Sequence, residues 1–181
     1  MSEPLESIET LKKLYPFRYK TPEIDSSVYQ APGSFVLGDV VIGKYSSVWF
    51  NTVIRGDVNF IRIGEGTNIQ DMSMIHVSFQ SFPTIIGNFV TVGHSVLLHA
   101  CRVGDHTLIG MGSCVQDGAE IGDNVLLGAG SLVTPGTKIP SGSKAFGRPA
   151  KVVGQLTEKE IAHVKWNAEH YMRLSKSYRL S

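Results

Sequence analysis

Three of the six histidines in this 181-residue chain lie within the stretch 75–103. They are His76, His94 and His99, and imidazole is the commonest protein ligand for transition metals. Three neutral imidazoles suit Zn²⁺ and leave a fourth coordination position open for water. This cluster therefore predicts a metal site, provided that the fold brings the three side chains together.

The histidines lie within a six-residue repeat of aliphatic residues. Fixed periodicity of this kind is typical of solenoids, in which each coil buries its apolar side only against its neighbours. Three hexads make one triangular coil, and strands of successive coils lie ~4.8 Å apart. The repeat predicts an all-β solenoid, a parallel β-helix of hexapeptide repeats, over residues 25–152. The repeated positions are Ile42, Val48, Ile54, Ile63, Ile69, Ile75, Ile86, Val92, Leu98, Val103, Ile109, Val115, Ile121, Leu127, Val133 and Ile139.

Residues three hexads apart should stack in columns along the solenoid. One column of residues that follow the repeated aliphatic positions contains Arg55, His76 and His99, whereas another contains only glycine. His76 and His99 should therefore lie one coil apart, with Cα atoms about 5 Å apart and parallel side chains that suit Zn²⁺. In a third column, His94 lies directly above Asp71.

The spacing of His94 and His99 argues against one ion bound by a single chain. His94 lies five residues before His99, which corresponds to roughly 15 Å of extended chain at ~3.3 Å per residue. Metal–nitrogen bonds to histidine are only ~2.1 Å long. A shared ion would therefore require His94 from a neighbouring chain, most simply in a homotrimer with metal sites at its interfaces.

Two insertions interrupt the repeat beside the histidine column. Extra residues surround Asp57, and a longer insertion between Ile75 and Ile86 includes residues 78–83. Loops at one place on a rigid scaffold often carry function. We therefore expect both insertions to protrude.

The segments outside the repeat should cover the solenoid. Residues 1–24 are expected to form a short helix or an arm that lies on the body. Thr157 and Glu160 have the spacing of a capping box, and the pattern after them predicts an amphipathic helix from residue 158 to about 178. This C-terminal segment, residues 153–181, should pack on the β-helix. The apolar residues that support the N-terminal prediction are Leu5, Ile8, Leu11 and Leu14.

The amino-acid composition indicates which kinds of binding partner and which cellular location to expect. A net charge of +1 with 18% charged residues predicts neither nucleic-acid nor membrane binding. The chain has no long apolar run and begins with a polar segment, so we expect no signal peptide or transmembrane helix and a cytoplasmic location. Cys101 and Cys114 are predicted to be reduced core residues.

The sequence around the histidines resembles that of the γ-class carbonic anhydrase-like proteins, over about residues 25–178. The resemblance implies a left-handed β-helix that forms a homotrimer. In this arrangement His76 and His99 of one chain and His94 of the next would bind Zn²⁺, with Fe²⁺ or Co²⁺ as alternatives. The motifs that carry the resemblance are Arg55-Gly56-Asp57, Asn68-Ile69-Gln70-Asp71, His76, Gly93-His94-Ser95-Val96-Leu97-Leu98-His99 and Leu108-Ile109-Gly110-Met111-Gly112.

The resemblance also implies a reaction, the reversible hydration of CO₂ to bicarbonate by a zinc-bound hydroxide. Gln70 would hydrogen-bond the metal-bound water, and Arg55 and Asp57 would form an ion pair across or near the interface. Asp71 would orient a histidine or support the interface. Tyr171 would approach the metal from the C-terminal helix.

Two departures from the family pattern concern proton transfer. Val58 replaces a glutamate, and residues 77–84 contain no acidic residue where well-characterised members carry a proton-shuttle glutamate. A slow, buffer-dependent or inactive carbonic anhydrase would follow. Two other functions therefore stay open: a non-catalytic trimer stapled by metal, and a hexapeptide-repeat acyltransferase that uses CoA.

Overall fold

The computed structural model describes residues 6–179. The chain forms a left-handed parallel β-helix of about 7 turns, followed by a long C-terminal helix. This confirms the predicted fold class. Leu5, which contributed to the prediction of an N-terminal helix, lies outside the described residues.

The bounds of the elements follow in chain order. Helix α1 is Ile8–Leu14, a short 3-10 helix follows at Pro16–Tyr19, and helix α2 is Glu158–Arg179. The strands are β1 (Glu23–Ile24), β2 (Tyr29–Gln30), β3 (Phe35–Ile42), β4 (Ser47–Val48), β5 (Val53–Ile63), β6 (Asn68–Ile69), β7 (Met74–His76), β8 (Thr84–Ile86), β9 (Thr91–Val92), β10 (Leu97–His99), β11 (Arg102–Val103), β12 (Leu108–Ile109), β13 (Cys114–Val115), β14 (Glu120–Ile121), β15 (Leu126–Leu127), β16 (Leu132–Val133), β17 (Lys138–Ile139), β18 (Ser143–Gly147) and β19 (Ala150–Gln155).

The repeated aliphatic residues form the core of the prism. All of the sixteen positions are buried, none of them more than 4% exposed. Full burial of an aliphatic side chain contributes about 1.5–3 kcal/mol, so this stack is the main source of stability. Cys101 is buried as expected, but Cys114 is only partly buried; both are free thiols.

The three faces of the prism differ in their outward side chains. The helix face, built from β4, β6, β9, β12 and β15, is covered by α2, which contacts β4, β6 and β9. The charged face, built from β8, β11, β14 and β17, carries Ile85, Arg102, Glu120 and Lys138 in one ladder.

The remaining face, which we call the apolar face, contains β7, β10, β13 and β16 together with the first residues of β3 and β5. Met74 is 46% exposed and Phe35 is 63% exposed. Among residues 6–179, no helix packs on β7, β10, β13 or β16 as α2 packs on β4, β6 and β9. Large exposed apolar patches typically mark interaction sites. The outward ladder consists of Phe35, Val53, Met74, Leu97, Cys114 and Leu132.

The two insertions behave differently. Contrary to expectation, the insertion around Asp57 does not protrude, because it lies within strand β5. The first part of β5 pairs with β7 and its last part pairs with β8, so this strand continues around a corner of the prism. Residues 78–83 do protrude, and Phe79 and Phe82 on this loop are exposed.

The chain ends pack on the solenoid in different ways. The capping box is confirmed, since Glu160 accepts hydrogen bonds from the backbone N–H and hydroxyl of Thr157, both 2.8 Å long. No residue of α1 is buried. The N-terminal segment is instead anchored after α1, where Lys20 pairs with the buried Asp39 at 2.6 Å. No helix among residues 6–179 has the length and apolar character needed to cross a bilayer.

Candidate metal centre

His76 and His99 lie side by side at one corner of the prism. They are paired residues on the adjacent parallel strands β7 and β10, as the column argument predicted. The Nδ1 atom of His76 and the Nε2 atom of His99 are 3.2 Å apart. The repeat therefore brings two imidazole nitrogens together with no help from a flexible loop.

Two carboxylates determine which ring nitrogens carry protons. Nε2–H of His76 donates to Asp57 across 3.0 Å, and Nδ1–H of His99 donates to Asp117 across 2.6 Å. In neutral imidazole the other nitrogen then carries a lone pair. Two lone pairs consequently face each other across the 3.2 Å gap, an arrangement that favours a cation between them.

Burial favours the neutral form of His76. It lowers the pKa of His76, and the charge of Arg55 acts in the same direction, against the opposing effect of the hydrogen bond to Asp57. Burial raises the pKa of Asp57, but the hydrogen bonds from His76 and Arg55 outweigh it and hold that pKa below its usual range. Arg55 Nη1 lies 2.5 Å from Asp57 Oδ2, so the predicted ion pair exists within one chain.

Asp117 is a site residue that the sequence reasoning missed. Its second oxygen accepts a hydrogen bond from the hydroxyl of Ser78, at the start of the protruding loop. Burial raises the pKa of Asp117, but the hydrogen bonds from Ser78 and His99 outweigh this effect and hold the pKa below its usual range. The sequence did contain a signal for Asp117: this residue lies one coil above Ala100, directly beside the histidine column.

His94 lies at the corner between the apolar face and the helix face. Its Nδ1 lies 2.8 Å from Asp71 Oδ2, which leaves Nε2 unprotonated and directed away from the carboxylate. The side chain of His94 is 45% exposed. Asp71 therefore orients a histidine, in the position that the column argument gave it.

Gln70 and Tyr171 belong to the same corner as His94. All three line a cleft of about 460 Å³ between α2 and the helix face. Gln70 Nε2 donates to Asn68 Oδ1 at 3.0 Å, so the carbonyl oxygen Oε1 is the atom left to accept a hydrogen bond. Apolar walls continue the cleft; they come from Leu108, Leu126, Met111 and Phe146.

The five residues around the histidine pair and the four around the cleft thus form two groups at opposite edges of the apolar face, and all of them except Asp117 were predicted. The first group, called the histidine-pair edge, holds Arg55, Asp57, His76, His99 and Asp117. The second, called the cleft edge, holds Gln70, Asp71, His94 and Tyr171. Within residues 6–179 of one chain, no three His, Cys, Asp or Glu side chains converge on a common metal position.

The histidine-pair edge fits a metal ion in its donor chemistry. Two nitrogens bound at ~2.1 Å to a tetrahedral Zn²⁺ lie about 3.4 Å apart, and the facing nitrogens of His76 and His99 are 3.2 Å apart. Each ring also donates its other N–H to a carboxylate, which is the usual support for histidine ligands. A third ligand and a water are still needed to complete the coordination.

The hexads and their stacked coils place the chain among the hexapeptide-repeat proteins. Residues 100–135 match the family model described as bacterial transferase hexapeptide (six repeats). A hexapeptide transferase family protein of Anaplasma phagocytophilum has a similar solved structure, with a TM-score of 0.83 at 46% identity, covering 87% of this chain and 92% of that one.

Relatives define the family more narrowly. The carbonic anhydrase of Geobacillus kaustophilus is 49% identical, covering 92% of this chain and 91% of that protein. A Methanocaldococcus jannaschii protein named "Probable carbonic anhydrase" is 51% identical, covering 85% of this chain and 96% of that protein. The chain therefore belongs to the γ-carbonic anhydrase family. It spans only 60% of the length of the mitochondrial γ-carbonic anhydrase 1 of Arabidopsis thaliana, to which it is 42% identical.

Proposed function

We propose that this protein is a carbonate dehydratase that catalyses the reversible hydration of CO₂ to bicarbonate. The observation that carries the proposal is the pair of unprotonated nitrogens of His76 and His99, which face each other at 3.2 Å with both tautomers set by carboxylates. The test is metal analysis of anaerobically purified protein, followed by a CO₂ hydration assay on the same sample. Metal-loaded protein without hydration activity would contradict the proposal.

The active site is completed between copies of the chain in a homotrimer. Support comes from the apolar face, which is flanked on one side by the histidine pair and on the other by His94. A surface with two different complementary edges forms head-to-tail contacts, and such contacts close into a ring when the rotation permits. The histidine-pair edge of one subunit would then meet the cleft edge of the next.

The residues divide the catalytic work between these two edges. His76, His99 and the neighbour's His94 hold the metal, while Asp57, Asp117 and Asp71 keep the three rings in the required tautomers. Bound Zn²⁺ would lower the pKa of a coordinated water to about 7 and so supply hydroxide at neutral pH. Fe²⁺ or Co²⁺ would also suit three imidazoles.

Gln70 orients the attacking water, because its free carbonyl oxygen is exposed to the cleft that contains His94. We expect Gln70→Ala to retain metal while hydration activity falls about tenfold, the effect of one hydrogen bond worth ~1.4 kcal/mol. Metal content and activity are measured on the same sample. Gln30→Ala, an exposed substitution on β2, should change neither quantity. If lost metal accounted for all of the lost activity, Gln70 would be structural.

We expect the release of the proton to be the slow step of the reaction. The loop at residues 78–83 contains no acidic side chain. Asp117 lies beside the loop, but its hydrogen bonds to Ser78 and His99 lower its pKa against the effect of burial, so it is a poor proton acceptor. Asp57 is held by Arg55 and His76 in the same way.

Turnover should therefore depend on external buffer. We expect kcat to rise with imidazole-type buffer concentration at fixed pH and ionic strength, while kcat/KM stays nearly constant, because proton export follows hydration. Gln80→Glu on the exposed loop should raise the turnover at low buffer without changing metal content. Gln30→Glu, an exposed substitution on the terminal strand β2 of the other sheet, is the matched control. A rate independent of buffer would mean that another internal group carries the proton.

Two other functions make different predictions. A CoA-dependent acyltransferase would need one histidine as a general base, whereas here two rings face each other and each is hydrogen-bonded to a carboxylate through its other nitrogen. The match to the bacterial transferase hexapeptide model is the observation that favours this alternative. A metal-stapled scaffold without activity would keep the metal and the trimer but hydrate no CO₂, and the combined metal and activity assay separates it from an enzyme.

A further inference from the structure

The loop at residues 78–83 begins with a contact to the histidine-pair edge. The hydroxyl of Ser78 donates a hydrogen bond to Asp117. The other carboxylate oxygen of Asp117 accepts a hydrogen bond from Nδ1–H of His99 at 2.6 Å. The orientation of the His99 ring therefore depends, through one carboxylate, on where the loop holds Ser78.

The loop itself is held by a small set of hydrogen bonds. The backbone N–H of Ser78 donates to the carbonyl of Phe82 at 3.1 Å, and the hydroxyl of Ser81 donates to the carbonyl of Phe79 at 3.0 Å. The side chain of Asn59 donates to the carbonyl of Ser78 at 3.2 Å. Phe79 is 46% exposed and Phe82 is 50% exposed. A segment with such exposed side chains opens locally at a low free-energy cost.

Tyr15 adds a contact to this loop from the N-terminal segment. The rings of Tyr15 and Phe79 are tilted by 54°, with their centroids 6.1 Å apart, which is within the range of favourable aromatic pairs. The backbone of Tyr15 is fixed on both sides. Its N–H donates to the carbonyl of Leu11 at 2.8 Å, and its carbonyl accepts a hydrogen bond from the N–H of Arg18 at 3.2 Å.

The segment that carries Tyr15 is anchored to the solenoid. The 3-10 helix at Pro16–Tyr19 packs on β3 and β5. The next residue, Lys20, pairs with Asp39 at 2.6 Å. Asp39 is buried and also pairs with Arg62 at 2.8 Å, so it ties the segment to the body. The ring of Tyr15 is therefore presented to the loop from a fixed support.

We propose that Tyr15 is a positioning residue of the histidine-pair edge, because its ring keeps the loop closed through Phe79. The closed loop keeps Ser78 on Asp117 and thereby fixes the ring of His99. The inference rests on the proposed function in one respect, since it treats His99 as a metal ligand. It assigns a role to an N-terminal residue that acts only through the loop.

The first test measures amide hydrogen exchange in metal-free, full-length protein. In Tyr15→Ala, exchange of the Ser78 N–H should accelerate about three- to tenfold, because the loss of one aromatic pair favours loop opening by that factor. Tyr15→Phe keeps the ring and should exchange at the wild-type rate. Tyr19→Ala is the matched control: it removes an exposed tyrosine from the same segment and should leave exchange in the loop unchanged.

The rate of zinc release supplies the second measurement. Because loop opening frees the ring of His99 more often, zinc transfer from loaded protein to excess chelator should accelerate by the same factor in Tyr15→Ala. Tyr15→Phe and Tyr19→Ala should release zinc at the wild-type rate. Zinc stoichiometry and Tm should stay the same in all three variants, since neither tyrosine belongs to the buried aliphatic core.

The outcomes separate this inference from the proposed function. Unchanged exchange at Ser78 in Tyr15→Ala would overturn the inference, and so would faster exchange with unchanged zinc release. If that variant did not fold, Phe79→Ala would remove the other ring of the pair, and wild-type values in it would overturn the inference as well. Wild-type protein that binds zinc, with both effects present in Tyr15→Ala, yet hydrates no CO₂, would contradict the proposed function alone.

Discussion

His94→Ala protein is expected to bind no metal, as completely as His76→Ala protein. The reason is that His94 lies at the other edge of the apolar face from the His76–His99 pair, so in the proposed trimer each site would draw its ligands from two chains. Metal is measured on purified variants, with His170→Ala as the control for removal of a histidine outside the proposed sites. Near-normal metal content in His94→Ala protein would refute the intersubunit site.

Mixing the two inactive variants gives a sharper form of this test. In a trimer that contains both variants, one interface joins an intact histidine pair to an intact His94. Random reassembly of equal amounts should therefore restore roughly a quarter of the sites. A site contained within one chain would give none, because every subunit would lack a ligand. Metal content and CO₂ hydration should recover together in the mixture and in neither parent.

The hexad repeat was sufficient to predict the fold and the pairing of His76 with His99, because a period of six allows one choice of inward residue and one register between coils. The same stacking rule placed Asp71 beneath His94. These predictions succeeded where the repeat is regular. They needed no knowledge of side-chain conformation beyond the alternation of inward and outward positions.

The repeat was less informative where side chains leave their columns. Asp117 reaches sideways to His99 from a neighbouring column, so stacking alone did not identify it. The insertion around Asp57 forms part of an extended strand because β3 and β5 pair along most of their length, a long-range contact that local sequence does not encode.

The apolar face could have been predicted from positions that we did not consider. The residue before each buried aliphatic residue points outward. On the apolar face this residue is apolar at Phe35, Val53, Met74 and Leu97. On the charged face the same position holds Arg102 or Glu120. The difference between the two ladders is a sequence signal for the face that we propose as the subunit contact.

Leu97→Glu should convert the proposed trimer to monomers and abolish metal binding at the same time. Leu97 lies in the middle of the apolar ladder, 36% exposed, between Met74 and Cys114. Burying an unpaired carboxylate against apolar side chains costs several kcal/mol, and three such substitutions would meet around one axis. At about 3 kcal/mol for each subunit contact, dissociation would become more than 100-fold more favourable.

The matched control is Ile85→Glu on the charged face, where residue 85 also points outward but is paired with Arg62 and Arg102. A glutamate there gains opposite charges on both sides, so the trimer and its metal should be retained. Light scattering after size-exclusion chromatography reports the assembly, and circular dichroism shows that the β-helix is intact. A trimeric, metal-loaded Leu97→Glu protein would show that the apolar face is not the contact, and that His94 must reach the histidine pair by another route.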